Sequence, residues 1–165
     1  MFETTGILND EVLKILKKYS MAPIFKKFLQ VGIVISAIGA LISIFISLKI
    51  FILSMFLILV FILEYYLAIN IFYKKSKAVI EENTEGEGFQ YKVIFNEIGA
   101  IVDNLSIGAT VHLKYDSFVR LEETPDMYFL FTKSTQYIIV FKKCLSDNQI
   151  NEFKLFIKEK CKNIK

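Results

Sequence analysis

Apolar and polar positions along the chain fall into three regimes. From Phe28 to Leu48 no charged residue occurs over 21 positions, and after Lys49 a second apolar run extends from Ile50 to Phe72, broken by Glu64 and Asn70. A helix needs about 20 apolar residues to cross the roughly 30 Å of a bilayer core. Two crossings are therefore expected, joined by a tight turn near Ser47–Lys49. A single helix of about 45 residues would be ~68 Å long at 1.5 Å per residue, too long for one crossing. On either side of these runs the pattern is that of soluble protein.

Residues 1–20 read as a short arm with one amphipathic helix. Asn9 is placed to cap it, Asp10 and Glu11 lie in its first turn, and Val12, Leu13, Leu16 and Tyr19 share a face. Docking on protein and lying on a membrane surface both remain open for that face. Residues 76–88 form an acidic connector with two glycines, read as a linker or a helix end.

From Phe89 the period changes to two. Phe89, Tyr91, Val93 and Phe95 alternate with other positions. Further strands are expected over 98–102, 107–113, 119–123, 127–132 and 137–141. Asp103–Asn104, Thr124–Asp126 and Lys133–Gln136 supply turn chemistry, and Lys114–Phe118 reads as a turn or a short helical turn. The chain then closes with an amphipathic helix. Ser146 and Gln149 fit a capping box, and Ile150, Phe153, Ile157, Cys161 and Ile164 recur at three- and four-residue steps.

The expected fold class is thus a membrane α-helical hairpin plus an α+β unit, an antiparallel sheet closed by a C-terminal helix. The expected domains are an N-terminal amphipathic arm at 1–27, the hairpin at 28–73, a linker at 74–88 and a soluble domain at 89–165.

Charge fixes the expected orientation. Lys14, Lys17, Lys18, Lys26 and Lys27 precede the first apolar run, and Lys74, Lys75 and Lys77 follow the second. Lys49 alone marks the tip. Lysine retained on the cytoplasmic side places both termini there, in a two-pass protein of the cell membrane. A net charge of +3 is too small to argue for nucleic acid, and topology accounts for its clustering. Cys144 and Cys161 occur without a CxxC, and His112 is the sole histidine. The usual four-ligand zinc frameworks are excluded, and no cofactor is expected. Neither a nucleophile elbow nor a phosphate-binding glycine loop is present, so the expectation is a protein that is not an enzyme.

Three sets of residues carry candidate interactions. Glu64 lies in an apolar helix, where a carboxylate costs about 2.5–3.5 kcal/mol at the bilayer centre. If it faced Gln30 or Ser36 it could relay protons or hold a cation, and if interfacial it would reach the headgroups. Lys26, Lys27, Lys74, Lys75 and Lys77 could contact anionic lipid, at about 1 kcal/mol each, or only set topology. Gly32, Ser36, Gly39, Ala40, Ser43 and Ser47 put small residues four apart. That spacing suits close packing within the hairpin, through Ser54, or with a second copy in a homodimer.

The stretch KYDSFVRLEETPDMYFLFTKSTQYIIVFKKCLSDNQINEFKLFIKEK, from Lys114 to Lys160, resembles the YcxB-like family of bacterial membrane proteins. Tyr115, Glu123–Thr124, Tyr128–Phe129–Leu130–Phe131 and Lys142–Lys143 fit the family pattern. Val140–Phe141 departs from it, since the family often has Ile-Pro there. The resemblance implies a two-helix hairpin and a C-terminal domain related to small PH-like folds. In such folds a basic patch can bind phosphate, which makes Lys142 and Lys143 candidate contacts for an anionic lipid. The leading expectation is a membrane-anchored, non-enzymatic interaction module whose partners are the bilayer, a protein or a second copy. Envelope protection against membrane-active peptides and a subunit of a proton-coupled transporter are the alternatives.

Overall fold

The structure is a computed structural model and describes residues 1–134 and 136–164. Lys165, assigned from sequence to the closing domain, and Thr135, inside the expected turn 133–136, lie outside the described residues. Two compact units emerge: one combines Met1–Val12 with Val79–Lys165, the other is Leu13–Ala78.

The first unit opens with a strand the sequence reading missed. Phe2–Leu8 is β1, and it pairs antiparallel along its whole length with β2 (Phe89–Phe95), from Phe2 opposite Phe95 to Leu8 opposite Phe89. The segment read as an arm thus supplies an edge strand to the domain that resumes some eighty residues later. β3 (Gly99–Asn104) and β4 (Ala109–Lys114) continue the sheet in the order β1-β2-β3-β4. Tyr115–Ser117 is a 3-10 turn, the short helical turn expected there. β5 (Phe118–Glu123), β6 (Met127–Thr132) and β7 (Tyr137–Phe141) then form a second antiparallel sheet, with an irregularity in register between Phe118 and Arg120. The expected strands are all present. They form two meanders rather than one.

The turn between β3 and β4 lies later than Asp103–Asn104. Both residues pair with β4, and the reversal uses Leu105–Gly108, where Gly108 adopts φ +67°. Asn104 keeps a turn role, because its side-chain oxygen accepts from the Ser106 amide.

The unit closes with a helix over Asp147–Lys160 whose cap is the one expected. The Ser146 hydroxyl accepts from the Gln149 amide, and the Gln149 side chain accepts from the Ser146 amide. Phe153 and Ile157 of this helix are fully buried. The Phe153 ring meets Phe2, Phe95 and Tyr128 at 5.0–5.5 Å, and Phe156 meets Phe2 and Tyr115. This aromatic cluster seals one end of the space between the sheets. It also ties the first strand of the chain to its last helix.

The second unit holds the apolar helices. We number the helices α1 (Asp10–Lys17), α2 (Pro23–Ser43), α3 (Leu48–Thr84) and α4 (Asp147–Lys160). α1 is capped as expected, with the Asn9 side chain accepting from the Val12 amide at 3.1 Å. Its apolar face, Val12, Leu13 and Leu16, is buried. α2 and α3 are joined through Ile44–Ser47, a tight turn that comes earlier than the Ser47–Lys49 expected, since Leu48 and Lys49 already belong to α3. α3 is longer than the apolar run. It continues through most of the acidic connector to Thr84, because no glycine or proline interrupts it before Gly86. It stops where Glu85 and Gly86 take φ values of 51° and 90°.

Candidate functional site

Among the described residues α2 and α3 are the two helices long and apolar enough to cross a membrane. Only 17% of the apolar window of α2 and 6% of that of α3 is buried, so neither behaves as the core helix of a soluble protein. Within the hairpin the small residues of α2 are spent on α3. Ser36, Ala40 and Ser43 are buried, and a side chain built on Gly32 would meet the Phe61 ring at 2.8 Å. Gly39 faces the Ser54 hydroxyl, at 3.5 Å from where its Cβ would lie. The small-residue stripe therefore works inside one chain, through Ser54 as one of the two expected arrangements has it.

The two contacts Gly32–Phe61 and Gly39–Ser54 give the same register. Continued outward, that register sets Glu64 level with Leu29 and Tyr66 level with Lys27. Glu64 therefore lies within a helical turn of Lys26 and Lys27, where α2 turns from charged to apolar. Glu64 and Gln30 are exposed while Ser36 is buried. The structure does not bring this trio together: Ser36 points into the helix pair and Glu64 points out of it. About 20 residues separate the Lys27–Tyr66 level from the tip on either helix, or ~30 Å at 1.5 Å per residue.

Asn70, the other polar break in α3, has a partner that spacing alone could not reveal. The Lys17 ammonium donates to its side-chain oxygen at 2.7 Å and lies 5.2 Å from the centre of the Tyr73 ring. Lys17, Lys26, Lys27, Lys74, Lys75 and Lys77 all belong to the base of the hairpin, opposite Lys49 at its tip. Lys26, Lys27, Lys74 and Lys75 are exposed and Lys77 is half-buried.

The candidate pair Lys142–Lys143 separates into two different environments. The Lys142 ammonium donates to Glu123 at 2.8 Å and to the Thr124 carbonyl at 2.7 Å, and lies 4.4 Å from the centre of the Tyr128 ring. Its side chain is only 12% exposed. A cation so occupied is a tether between the β5–β6 turn and the end of β7, not a free phosphate ligand. Lys154 of α4 donates to the other Glu123 oxygen at 2.5 Å. Hydrogen bonds from both lysines hold the Glu123 carboxyl down at about 2. Thr124 closes the same turn through Met127, and the Lys142 amide donates to the Asp126 carbonyl. Lys143 is exposed. Beside it the Cys144 thiol donates to the Thr5 carbonyl on the outer edge of β1 at 3.1 Å.

Four of the residues that carried the family resemblance, Glu123, Thr124, Tyr128 and Lys142, are thus joined in one structural knot. Residues 101–157 match the model of the family described as YcxB-like protein. The match covers roughly a third of the chain, from β3 through most of α4, and includes the whole knot. No curated protein and no solved structure matches the chain.

Sequence reasoning did not find the sole arginine. The Arg120 guanidinium lies 3.8 Å from the centre of the Phe131 ring and close to Glu122, in a setting that lowers its affinity for a proton through burial. The pairing of Arg120 with Phe131 across β5 and β6 would have been its signal. Cys161 is buried, and its thiol is pushed up to about 12 by burial, then by Asp116. It is an inert core residue, in contrast to the exposed Cys144.

Proposed function

We propose that the chain is a membrane-anchored, non-enzymatic interaction module. The hairpin spans the membrane with both ends on the cytoplasmic side and presents the α+β unit, PH-like by family resemblance, at the inner face. The observation that carries this reading is where the hairpin enters the domain. It is inserted between β1 and β2, which pair with each other, so the domain is gripped by the anchor at two points of one sheet.

The charge distribution supports the orientation, with lysines grouped at the base and Lys49 alone at the tip. Glu64 belongs in this account as an interfacial carboxylate level with the first turn of α2. A proton-coupled role would need it inside the helix pair. The knot around Glu123 is structural: its charged groups are spent on one another and hold β5, β6, β7 and α4 in place. The partner is a protein or the membrane surface itself.

The test uses Cys144, since Cys161 is buried and stays silent. A membrane-impermeant thiol reagent is expected to label Cys144 only after cells are permeabilised. Labelling in intact cells would put the domain outside and overturn the orientation, and with it the search for a cytoplasmic partner.

A further inference from the structure

The two edges of the four-stranded sheet are finished differently. At the β1 edge the Cys144 thiol donates to the Thr5 carbonyl, and the Phe141 ring fills the space beside Gly6. The β4 edge has no such cover. β4 ends the sheet, and Ala109, Thr110, Val111 and His112 are all exposed. The direction of its backbone groups follows from the ladder. In an antiparallel pair, successive residues alternate between bonding the neighbouring strand and facing away from it. The Leu105 amide donates to the Gln90 carbonyl and the Asn96 amide to the Gly99 carbonyl, so the odd-numbered residues of β3 face β2. The even-numbered ones, Ala100, Val102 and Asn104, then face β4, opposite Leu113, Val111 and Ala109. Thr110 and His112 are left with N–H and C=O groups directed outward, and among the described residues these groups have no partner.

Folded proteins guard such an edge with proline, a bulge or charge. β4 contains no proline, its register with β3 is unbroken, and its one charged residue, Lys114, is its last. The inner face at this edge is unfinished as well. Val93, Val102 and Val111 form one row across β2, β3 and β4. Val93 is fully buried and Val102 half-buried, but Val111 is 44% exposed.

We propose that β4 pairs antiparallel with β4 of a second copy of the chain, about a two-fold axis at Val111. The occupant follows from the strand's own pattern. In this register Thr110 of each copy lies opposite His112 of the other. These are the residues with outward backbone groups, so four hydrogen bonds form and no outward N–H or C=O of Thr110 or His112 is left over. Val111 meets Val111 of the second copy as a non-hydrogen-bonded pair, where side chains approach most closely, and Ala109 meets Leu113. The valine row thus runs on across the axis. Lys114 comes opposite Gly108, so no like charges oppose one another. A two-fold interface requires this self-complementarity, and β4 supplies it from its own residues. The inference rests on the interaction-module reading and names its protein partner.

The experiment uses the full chain in cell membranes, with Cys144→Ser as background, since Cys161 is buried. Across a non-hydrogen-bonded pair the Cα atoms lie about 4.5 Å apart, within reach of a disulfide. Under a permeant oxidant, Val111→Cys is expected to give a linked dimer at least about fivefold above Leu155→Cys, an exposed position on α4. Ala109→Cys on one copy should link to Leu113→Cys on another. Two changes should each cut that second crosslink by at least about fivefold: Thr110→Pro, which takes away an outward N–H and no backbone bond to β3, and Val111→Lys, which sets like charges at the axis. Hydrogen exchange in β2 and β6 should be unchanged in both. A yield at Val111 no higher than at Leu155 would overturn the pairing. So would an Ala109–Leu113 crosslink that both variants leave intact, or a crosslink from Val111 to a different protein, which would give the edge to a foreign strand. Loss of the crosslinks with native Cys144 still labelled only after permeabilisation would overturn the pairing and leave the anchored module standing. Labelling of Cys144 in intact cells with the crosslinks present would overturn the module's orientation and keep the pairing.

Discussion

The hairpin and the α+β unit solve the same problem in opposite ways. Both are rich in apolar side chains. In the domain β6 is buried at every position and β7 at all but its first. In the hairpin Phe45 is 91% exposed, Leu48 73% and Ile46 69%, and α3 buries little along its apolar length. The domain hides its apolar surface from water by folding. The hairpin leaves its surface for another solvent and uses its few inward positions, Gly32, Ser36, Gly39 and Ala40, for close backbone approach. In lipid, helix association gains nothing from hiding leucine, so small residues and fit decide it. In the domain, burial of large rings does most of the work.

This contrast can be broken from either side. Deleting residues 2–8 from the full chain should have the largest effect. It removes the strand opposite β2 and the Phe2 ring from the α4 cluster, a loss of at least about 3 kcal/mol. Hydrogen exchange should then show protection lost in β2, β6 and β7 while α2 and α3 keep theirs. Equal loss in both units would mean that the two do not fold as separate cores. Next comes Gly6→Ala. A Cβ there would lie 1.9 Å from the Phe141 ring, so the strand or the ring must shift, at about 2–3 kcal/mol. Its melting transition should fall, with the hairpin unaffected.

Gly32→Leu tests the other region. It should separate α2 from α3 at Phe61, costing about 1–2 kcal/mol of hairpin stability and leaving the melting of the domain unchanged. The smallest effect belongs to Glu123→Gln. The carboxylate is 38% exposed, so screening limits its two ion pairs to about 1 kcal/mol or less. Its proton affinity is depressed in the folded state. The contribution is therefore present above the ordinary carboxylate range and is lost as pH falls from there through about 2. The variant should lack that part of the acid dependence in a pH series of denaturation curves.

Much of this architecture was legible because period and length were unambiguous. The two apolar runs, the buried strand MYFLFT and the Ser146–Gln149 box each carry a signal strong enough to stand alone. β1 did not. Its inward positions are Phe2, Thr4, Gly6 and Leu8, and the middle two offer almost no apolar contrast. The Thr4 hydroxyl is buried without a partner, and Gly6 is there because Phe141 occupies the space of a side chain. What defines β1 is a fit to residues far along the chain, and local pattern cannot express that. The same holds for the candidate sites. Lysines near an apolar run were easy to see, but only the fold distinguishes Lys142, held by Glu123, from the exposed Lys143. Nor could spacing pair Lys17 with Asn70 across 53 positions.

The placement of the hairpin inside the sheet also imposes an order of events during synthesis. β1 leaves the ribosome first, but its partner β2 follows only after both apolar helices have been made. Closing so long a loop by diffusion would be slow, since non-local pairing delays folding. A packed hairpin shortens that search, because it brings the chain before α2 and the chain after α3 back to one end of the helix pair. Until the hairpin has formed, β2 is left with an unpaired strand edge, so hairpin formation becomes a step in the maturation of the α+β unit.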